Sequence, residues 1–341
     1  MLNLLIDTDP GMGLVGSDID DNLAIMWALL SSEVSLKGIT LTYGNVSLQE
    51  AWLSLSATLR LIRKTSVPVA LGCERPLIKP YLNSRDLKKI IAERKGFQIN
   101  FDNMLKGIEP INPVSLSAPE FILNTADKCP DLVILALGPL TNIAIAVKTS
   151  PKVIYKIKEL VIMGGALKEY GNITPVSEFN IFCDPEAAEI VFSSGLPITV
   201  IGLDVTHRVQ VYLEDMQRCI GSEEDPKSEL ANFVLDCARK WIEVRTVFLG
   251  ETFFYPHDVI AFAYLLYPEL FKKEQMYLKV ECSGMLTRGK IIGIRPEWIN
   301  RYPYTDLDLE AMRPVNVCIE INRDAFFQAF CKFLSSLNTF F

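Results

Sequence analysis

Residues 2–11, Leu-Asn-Leu-Leu-Ile-Asp-Thr-Asp-Pro-Gly, lead through a glycine-bearing insert at 12–17 to Asp18-Ile19-Asp20-Asp21 and the apolar-rich stretch 22–30. This segment decides the fold. Its first five positions after Met1 are almost unbroken aliphatics that end abruptly in acids, which predicts a strand at 2–6 buried on both faces. Leu23, Ile25, Met26, Leu29 and Leu30 then recur at helical spacing, which predicts a helix with one buried side. Further aliphatic runs at 36–42, 67–71, 132–136, 159–163 and 198–203 repeat the pattern, and Leu53, Leu55, Leu59 and Ile62 mark a second helix over 48–62. Doubly buried strands alternating with helices predict an α/β fold: a single doubly wound domain with a mainly parallel central sheet flanked by helices. No linker, internal repeat or low-complexity tract interrupts residues 1–341, so one domain is expected. Two stretches break the rhythm: 79–113, charged and expected to hold a helix and a long loop, and 209–256, expected to be mostly helical, with Trp241, Val244, Val247 and Phe248 on one face.

Composition narrows the function. The 341 residues carry 41 Asp and Glu against 34 Lys and Arg, a formal charge of -7, and only 2 His. An acidic chain without a basic run is a poor nucleic-acid binder, because that affinity comes largely from neutralising phosphates. Two histidines exclude a multi-histidine zinc site, so a metal would have to be held by carboxylates. The eight cysteines are scattered without a CxxC pair and read as small buried hydrophobes in a reducing compartment. No apolar stretch approaches the ~20 residues of a membrane span, and the N-terminus lacks the basic flank of a signal peptide. The expectation is a cytoplasmic protein acting on a small molecule, with no nucleic-acid or membrane partner.

In open α/β sheets the site lies beyond the carboxyl ends of the strands. Five carboxylates, Asp7, Asp9, Asp18, Asp20 and Asp21, crowd the end of the first strand. They fit a hard divalent cation with oxygen ligands, or an Asp-rich turn followed by a helix cap. Later strands end in Thr42-Tyr43-Gly44-Asn45, in 137–142 with Thr141 and Asn142, and in Met163-Gly164-Gly165 followed by Gly171-Asn172 and Glu178-Phe179-Asn180. Each Gly-Asn pair alone fits an ordinary turn. Amides and a carboxylate repeated at successive strand ends suit a ligand with several hydroxyl groups, each both donor and acceptor. Pro256-His257-Asp258 opens an apolar helix at 259–266, where His257 could act as a general acid and Asp258 could complete an oxygen cage; both residues also fit a helix cap. His207 is read as structural or at the surface.

The sequence resembles the inosine-uridine-preferring nucleoside hydrolases along almost its whole length. The matching motifs are DTDPG with a later DD, GITLTYGNV, ALGPLTNIA, VIMGGA, GNITPVSEFNIFCDPEAA, PHD and the closing VNVCIEINRDAFFQAF. The resemblance implies calcium-dependent hydrolysis of the N-glycosidic bond of ribonucleosides to ribose and free base, in the service of purine or pyrimidine salvage, by a homodimer or homotetramer. By motif, Asp9, Asp21, Asp258 and the Leu137 carbonyl correspond to the calcium ligands, and Asp9 to the base that activates the metal-bound water. Asp20, Asn45, Met163, Asn172, Glu178 and Asn180 correspond to the ribose contacts, Phe179 lies among them as the first choice for base stacking, and His257 corresponds to the proton donor beside the leaving base.

Two departures qualify this. Eight residues separate the Gly of DPG from the acidic pair, which leaves the metal-binding choice among Asp18, Asp20 and Asp21 open. The insert could bulge outward, or fold over the site and leave a catalytically weak nucleoside-binding or regulatory homologue. The histidine that many relatives carry after the third strand is also absent from 79–113, so base recognition is expected to rest on rings such as Phe179, Trp241, Phe248, Phe253, Phe254 or Tyr255.

Overall fold

A computed structural model describes residues 1–78, 83–221, 228–301 and 313–339; residues 79–82 and 222–227, inside the two irregular stretches, lie outside the described residues. The strands are β1 (Leu2–Thr8), β2 (Val34–Leu41), β3 (Val69–Leu71), β4 (Val133–Ala136), β5 (Glu159–Met163), β6 (Ile198–Ile201), β7 (Val211–Tyr212), β8 (Phe253–Phe254), β9 (Phe271–Val280), β10 (Ile291–Ile294) and β11 (Val315–Ile321). Nine form one sheet in the order β10-β9-β11-β6-β5-β4-β1-β2-β3, and β7 pairs with β8 apart from it. Neighbours run parallel from β3 to β11, and only β9 and β10, at one edge, pair antiparallel. This is the mainly parallel sheet that the sequence predicts.

Alternation along β1 explains its central position. Leu4 and Ile6 enter the core on one face of the sheet and Leu5 the core on the other. All three are fully buried, each contributing about 1.5–3 kcal/mol. Asp7 is buried with them: one carboxylate oxygen accepts from Thr40 Oγ1 at 2.5 Å and from Asn142 Nδ2 at 2.8 Å. Asn142 Nδ2 also donates to the Leu41 carbonyl, and its Oδ1 accepts from Cys73 N. This amide, expected from sequence among the hydroxyl-binding groups, therefore ties β1, β2 and the end of β3 together beneath the site.

Chain direction reverses at β1. From it the chain steps outward through β2 and β3, then returns to β4 on the other side and proceeds through β5 and β6, opening a crevice beyond the carboxyl ends of β1 and β4. Asp9 and Leu137 lie there, one residue beyond each strand. The first helix begins at Asp20 rather than Asn22, which puts both acids in its first turn, where the helix dipole favours them.

The insert neither bulges outward nor covers the crevice. Met12, Leu14 and Val15 are buried. Met12 N donates to Asn22 Oδ1 at 3.1 Å, and Met12 O accepts from Ser54 Oγ at 2.9 Å. Val15 N donates to Asp102 O and Met104 N to Gly13 O. Arg85, 5% exposed, fastens the layer by donating to Val15 O, Phe101 O and Glu50 Oε1 at 2.7–3.0 Å. Gly16 turns with φ +100°, and an added Cβ would stand 2.7 Å from the Phe101 ring. The 84–95 part of the charged stretch forms the expected helix (Ser84–Lys95), and its buried face presents Arg85 to the insert.

One expectation about the cysteines is corrected. Cys219 and Cys331 form a disulfide with Cα atoms 5.0 Å apart, joining the helix Leu213–Ile220 to the helix Arg323–Ser336. The pair is 112 residues apart in sequence and adjacent only because those two helices pack together. The other six form no disulfide, and Cys183, Cys237 and Cys318 are buried as expected.

Candidate active site

The crevice is a cavity of about 440 Å³. Carboxylates dominate its floor and the layer just beneath. Asp9, Asp20, Asp21 and Asp258 are 0–4% exposed, and oxygens of Asp18, Asp20 and Asp21 lie within 4.8 Å of one another. Asp21 Oδ1 accepts from Thr8 Oγ1 and its Oδ2 from Asn45 Nδ2 at 3.2 Å. Asp9 Oδ2 accepts from Asn45 N at 2.6 Å, and Asp20 Oδ2 from Asp258 N at 3.1 Å. Gly44 permits this closeness, since a Cβ there would fall 1.9 Å from Asp9 Oδ2. Burial first, and then repulsion from neighbouring acids, raises Asp9, Asp20 and Asp258 well above the usual carboxylate range and pushes Asp18 up to about 7. Asp9 Oδ1, Asp18 Oδ1 and Asp258 Oδ1 are buried with no hydrogen-bond partner among the described residues. Acceptor-only oxygens left unpaired beside one another are costly without a cation. The donor set, all hard oxygen, can hold a metal ion.

Beside this floor lies a polar wall. Asn180 Nδ2 donates to Leu137 O at 2.7 Å and Met163 O at 3.2 Å, bridging the ends of β4 and β5 and leaving Asn180 Oδ1 as an acceptor. Glu178 caps the helix Phe179–Cys183; its carboxylate accepts from the N–H groups of Asn180, Ile181 and Gly165 at 2.9–3.2 Å. Asn172 Oδ1 accepts from Phe179 N at 2.8 Å, and its amide nitrogen remains as a donor. Asp20, Asn45, Met163, Asn172, Glu178, Phe179 and Asn180 all line the cavity with Asp18, Leu137 and Asp258. Asp9 and Asp21 sit just beneath, joined to it through Asn45.

Rings and cations make the third wall. Of the aromatic residues considered from sequence, Phe179, Trp241, Phe248 and Tyr255 line the cavity. Phe254 is core and Phe253 stands behind, pairing with Tyr212 across β7 and β8. His257 lines the cavity and its Nδ1 lies 2.7 Å from Thr206 Oγ1. Burial, and then the charges of His207 and Arg245, hold its imidazole well below the ordinary range, so the surroundings favour neutral His257 rather than the imidazolium expected of a proton donor. His207 is also in the cavity wall, stacked on Tyr255 at 4.4 Å and 5.6 Å from His257, which corrects its reading as structural or surface. Nothing in its local sequence signals this; the stacking arises where the turn after β6 meets the turn before the helix His257–Leu266. Lys88 and Arg245, also missed, complete this wall.

Residues 4–328 match the family model described as inosine-uridine preferring nucleoside hydrolase. The chain belongs to that family. It is therefore a glycosidase acting on N-glycosyl compounds, as its motifs imply. Among curated relatives, the pyrimidine-specific ribonucleoside hydrolase RihA of Escherichia coli O7:K1 is 36% identical over 297 residues, covering 85% of this chain and 88% of its own. RihA of Shigella boydii serotype 4 is 34% identical over 331 residues, covering 95% and 96%. Among solved structures, the purine-preferring ribonucleoside hydrolase of Gardnerella vaginalis superposes with a TM-score of 0.81 at 30% identity, covering 98% of this chain and 99% of its own. A plant nucleoside hydrolase superposes at 0.82 with 25% identity and the same coverage.

Proposed function

We propose that this family member hydrolyses the N-glycosidic bond of ribonucleosides to ribose and free base, with calcium as its cofactor. The observation that carries this reading is the set of buried, unpaired carboxylate oxygens of Asp9, Asp18 and Asp258 beside a wall of amides. Asp9, Asp21, Asp258 and the second lone pair of the Leu137 carbonyl would hold the ion, which supplies Lewis acidity toward water. The unpaired oxygen of Asp18 makes it a further candidate ligand. Asp9, with Oδ1 unengaged, takes the proton from water as that water attacks the anomeric carbon.

The polar wall holds the sugar. Among the described residues, Asp20, Asn45 and Asn180 each keep an acceptor atom without a partner and Asn172 keeps a donor, a mixture that matches hydroxyl groups. Glu178 fixes the loop through three backbone N–H groups and adds negative charge near the oxocarbenium-like carbon that develops. The Met163 carbonyl and sulfur position the Asn180 amide. Phe179 packs against the base, and His257 offers it an N–H. The packing of the insert beneath 101–105 supports a working site rather than a silenced one. The same reading makes the protein one domain over 1–341, a cytoplasmic homodimer or homotetramer that returns nucleobases to salvage.

The test is Asp9→Asn, assayed by chromatographic release of free base from a ribonucleoside panel. Loss of a positioned base lowers turnover by about 10²–10⁴-fold; turnover within threefold of the parent would remove Asp9 from that role.

A further inference from the structure

Two cations, Lys88 and Arg245, stand in the cavity wall, outside every motif that the ribohydrolase reading uses. The wall forms a continuous run of rings and cations that begins at His257, and both of its cations also act on the Asp18 carboxylate. His257 lies 5.6 Å from His207, and His207 stacks on Tyr255. The Arg245 guanidinium carbon is 5.6 Å from the Tyr255 ring and 5.7 Å from the Trp241 ring, and Lys88 Nζ is 4.8 Å from the other end of that run, the Trp241 ring. Arg245 is locked in place: Nε donates to Phe253 O at 2.7 Å, and one terminal nitrogen pairs with Glu251. The other terminal nitrogen has no hydrogen-bond partner among the described residues. Lys88 Nζ donates to Ser84 Oγ at 2.6 Å and keeps two further donors.

We propose that Arg245, with Lys88 beside it, determines which base this enzyme releases, by donating to an exocyclic oxygen on the distal edge of the base and stabilising the charge that collects there as the base departs. The inference rests on the ribohydrolase reading and deepens it. In the reaction the water oxygen bonds to the anomeric carbon and Asp9 takes the water proton. The carbon–nitrogen bond breaks with its electron pair going to the base, which leaves as an anion until a solvent proton neutralises it. In uracil and hypoxanthine that charge spreads onto an exocyclic oxygen. Cytosine and adenine carry an amino group at the corresponding position, a donor facing donors, since guanidinium and ammonium accept nothing. A fixed charge that strengthens its contact as the leaving group becomes negative acts on kcat more than on KM.

The experiment measures kcat and KM of the calcium-loaded full chain on two matched pairs, uridine with cytidine and inosine with adenosine, for the parent, Arg245→Gln, Arg245→Lys and Lys88→Gln. The parent favours the oxygen-bearing member of each pair it turns over. Arg245→Gln lowers kcat/KM on uridine and inosine by about tenfold to a hundredfold, mostly through kcat, and changes cytidine and adenosine by less than about threefold. Arg245→Lys restores part of the loss. If Arg245→Gln fails to fold, as its contacts to Phe253 and Glu251 allow, Lys88→Gln carries the same prediction with a smaller effect, because its protein contact is one serine. An equal fall on all four nucleosides, or a change confined to KM, would overturn the inference while leaving the ribohydrolase reading intact. No base release by the parent from any of the four would overturn that reading instead.

Discussion

Replacing Asp258 by Asn separates the two reasons a carboxylate can sit at this position. In the metal-free protein its charge faces those of Asp21, Asp20, Asp18 and Asp9. At an effective dielectric of ~20, two like charges about 5 Å apart repel by about 3 kcal/mol. Proton uptake by the raised acids reduces that cost, and the variant also forgoes about 0.5 kcal/mol of helix-dipole interaction, so the net relief is about 1–2 kcal/mol. Unfolding entropy of about 2.1 cal/mol/K per residue over 341 residues makes 1 kcal/mol worth roughly 1.4 °C. Metal-free Asp258→Asn therefore melts about 1–3 °C higher than the metal-free parent. Calcium at a hundred times its Kd adds about 2.7 kcal/mol to the parent, a rise of about 4 °C, and the variant forfeits most of that response.

Scanning calorimetry with chelator and then with calcium reads both signs in one protein. A pH series adds a third. Acids whose folded pKa lies above the unfolded value bind protons in the native state; their stabilisation is complete below about pH 4 and disappears as pH rises through the folded values, about 6 for Asp7 and about 7 for Asp18. The metal-free parent thus loses stability from pH 5 to 8, whereas the calcium protein gains over that interval because its ligands must be deprotonated. A metal-free variant less stable than the parent, with an undiminished calcium response, would refute the view of Asp258 as a ligand held against repulsion.

His257→Ala slows release of unactivated bases by about tenfold to a hundredfold, and slows an activated aryl riboside less; equal slowing of both would deny it contact with the leaving group. Arg85→Ala removes a buried cation from three acceptors and costs about 2–4 kcal/mol, lowering Tm by roughly 3–6 °C; an unchanged Tm would mean that the insert does not depend on this clamp.

What was legible in the sequence was local. Leu4, Leu5 and Ile6 are buried on both faces because a central parallel strand requires it, and the acids after them lie at a strand tip whatever the rest of the chain does. The motifs likewise carry Asn45, Glu178, Asn180 and Asp258 to the same crevice, since each follows a strand or opens a helix of the same sheet. What escaped depends on separate elements meeting. His207 gains its place through Tyr255, Cys219 through a partner 112 residues away, and Lys88 and Arg245 through Trp241 between them. Asn142 shows the converse: an amide at a strand end, expected to face the ligand, turns down to hold three strands because the buried Asp7 needs a donor.

The most direct test of calcium-dependent ribohydrolysis is to measure ribose and free base released together from a ribonucleoside panel by the parent protein, first with chelator and then with calcium restored. The account predicts equimolar ribose and base from at least one nucleoside with calcium, less than about one hundredth of that rate with chelator, and full recovery on adding the ion back. Undiminished release in chelator, or none from a folded protein that binds calcium, would contradict it.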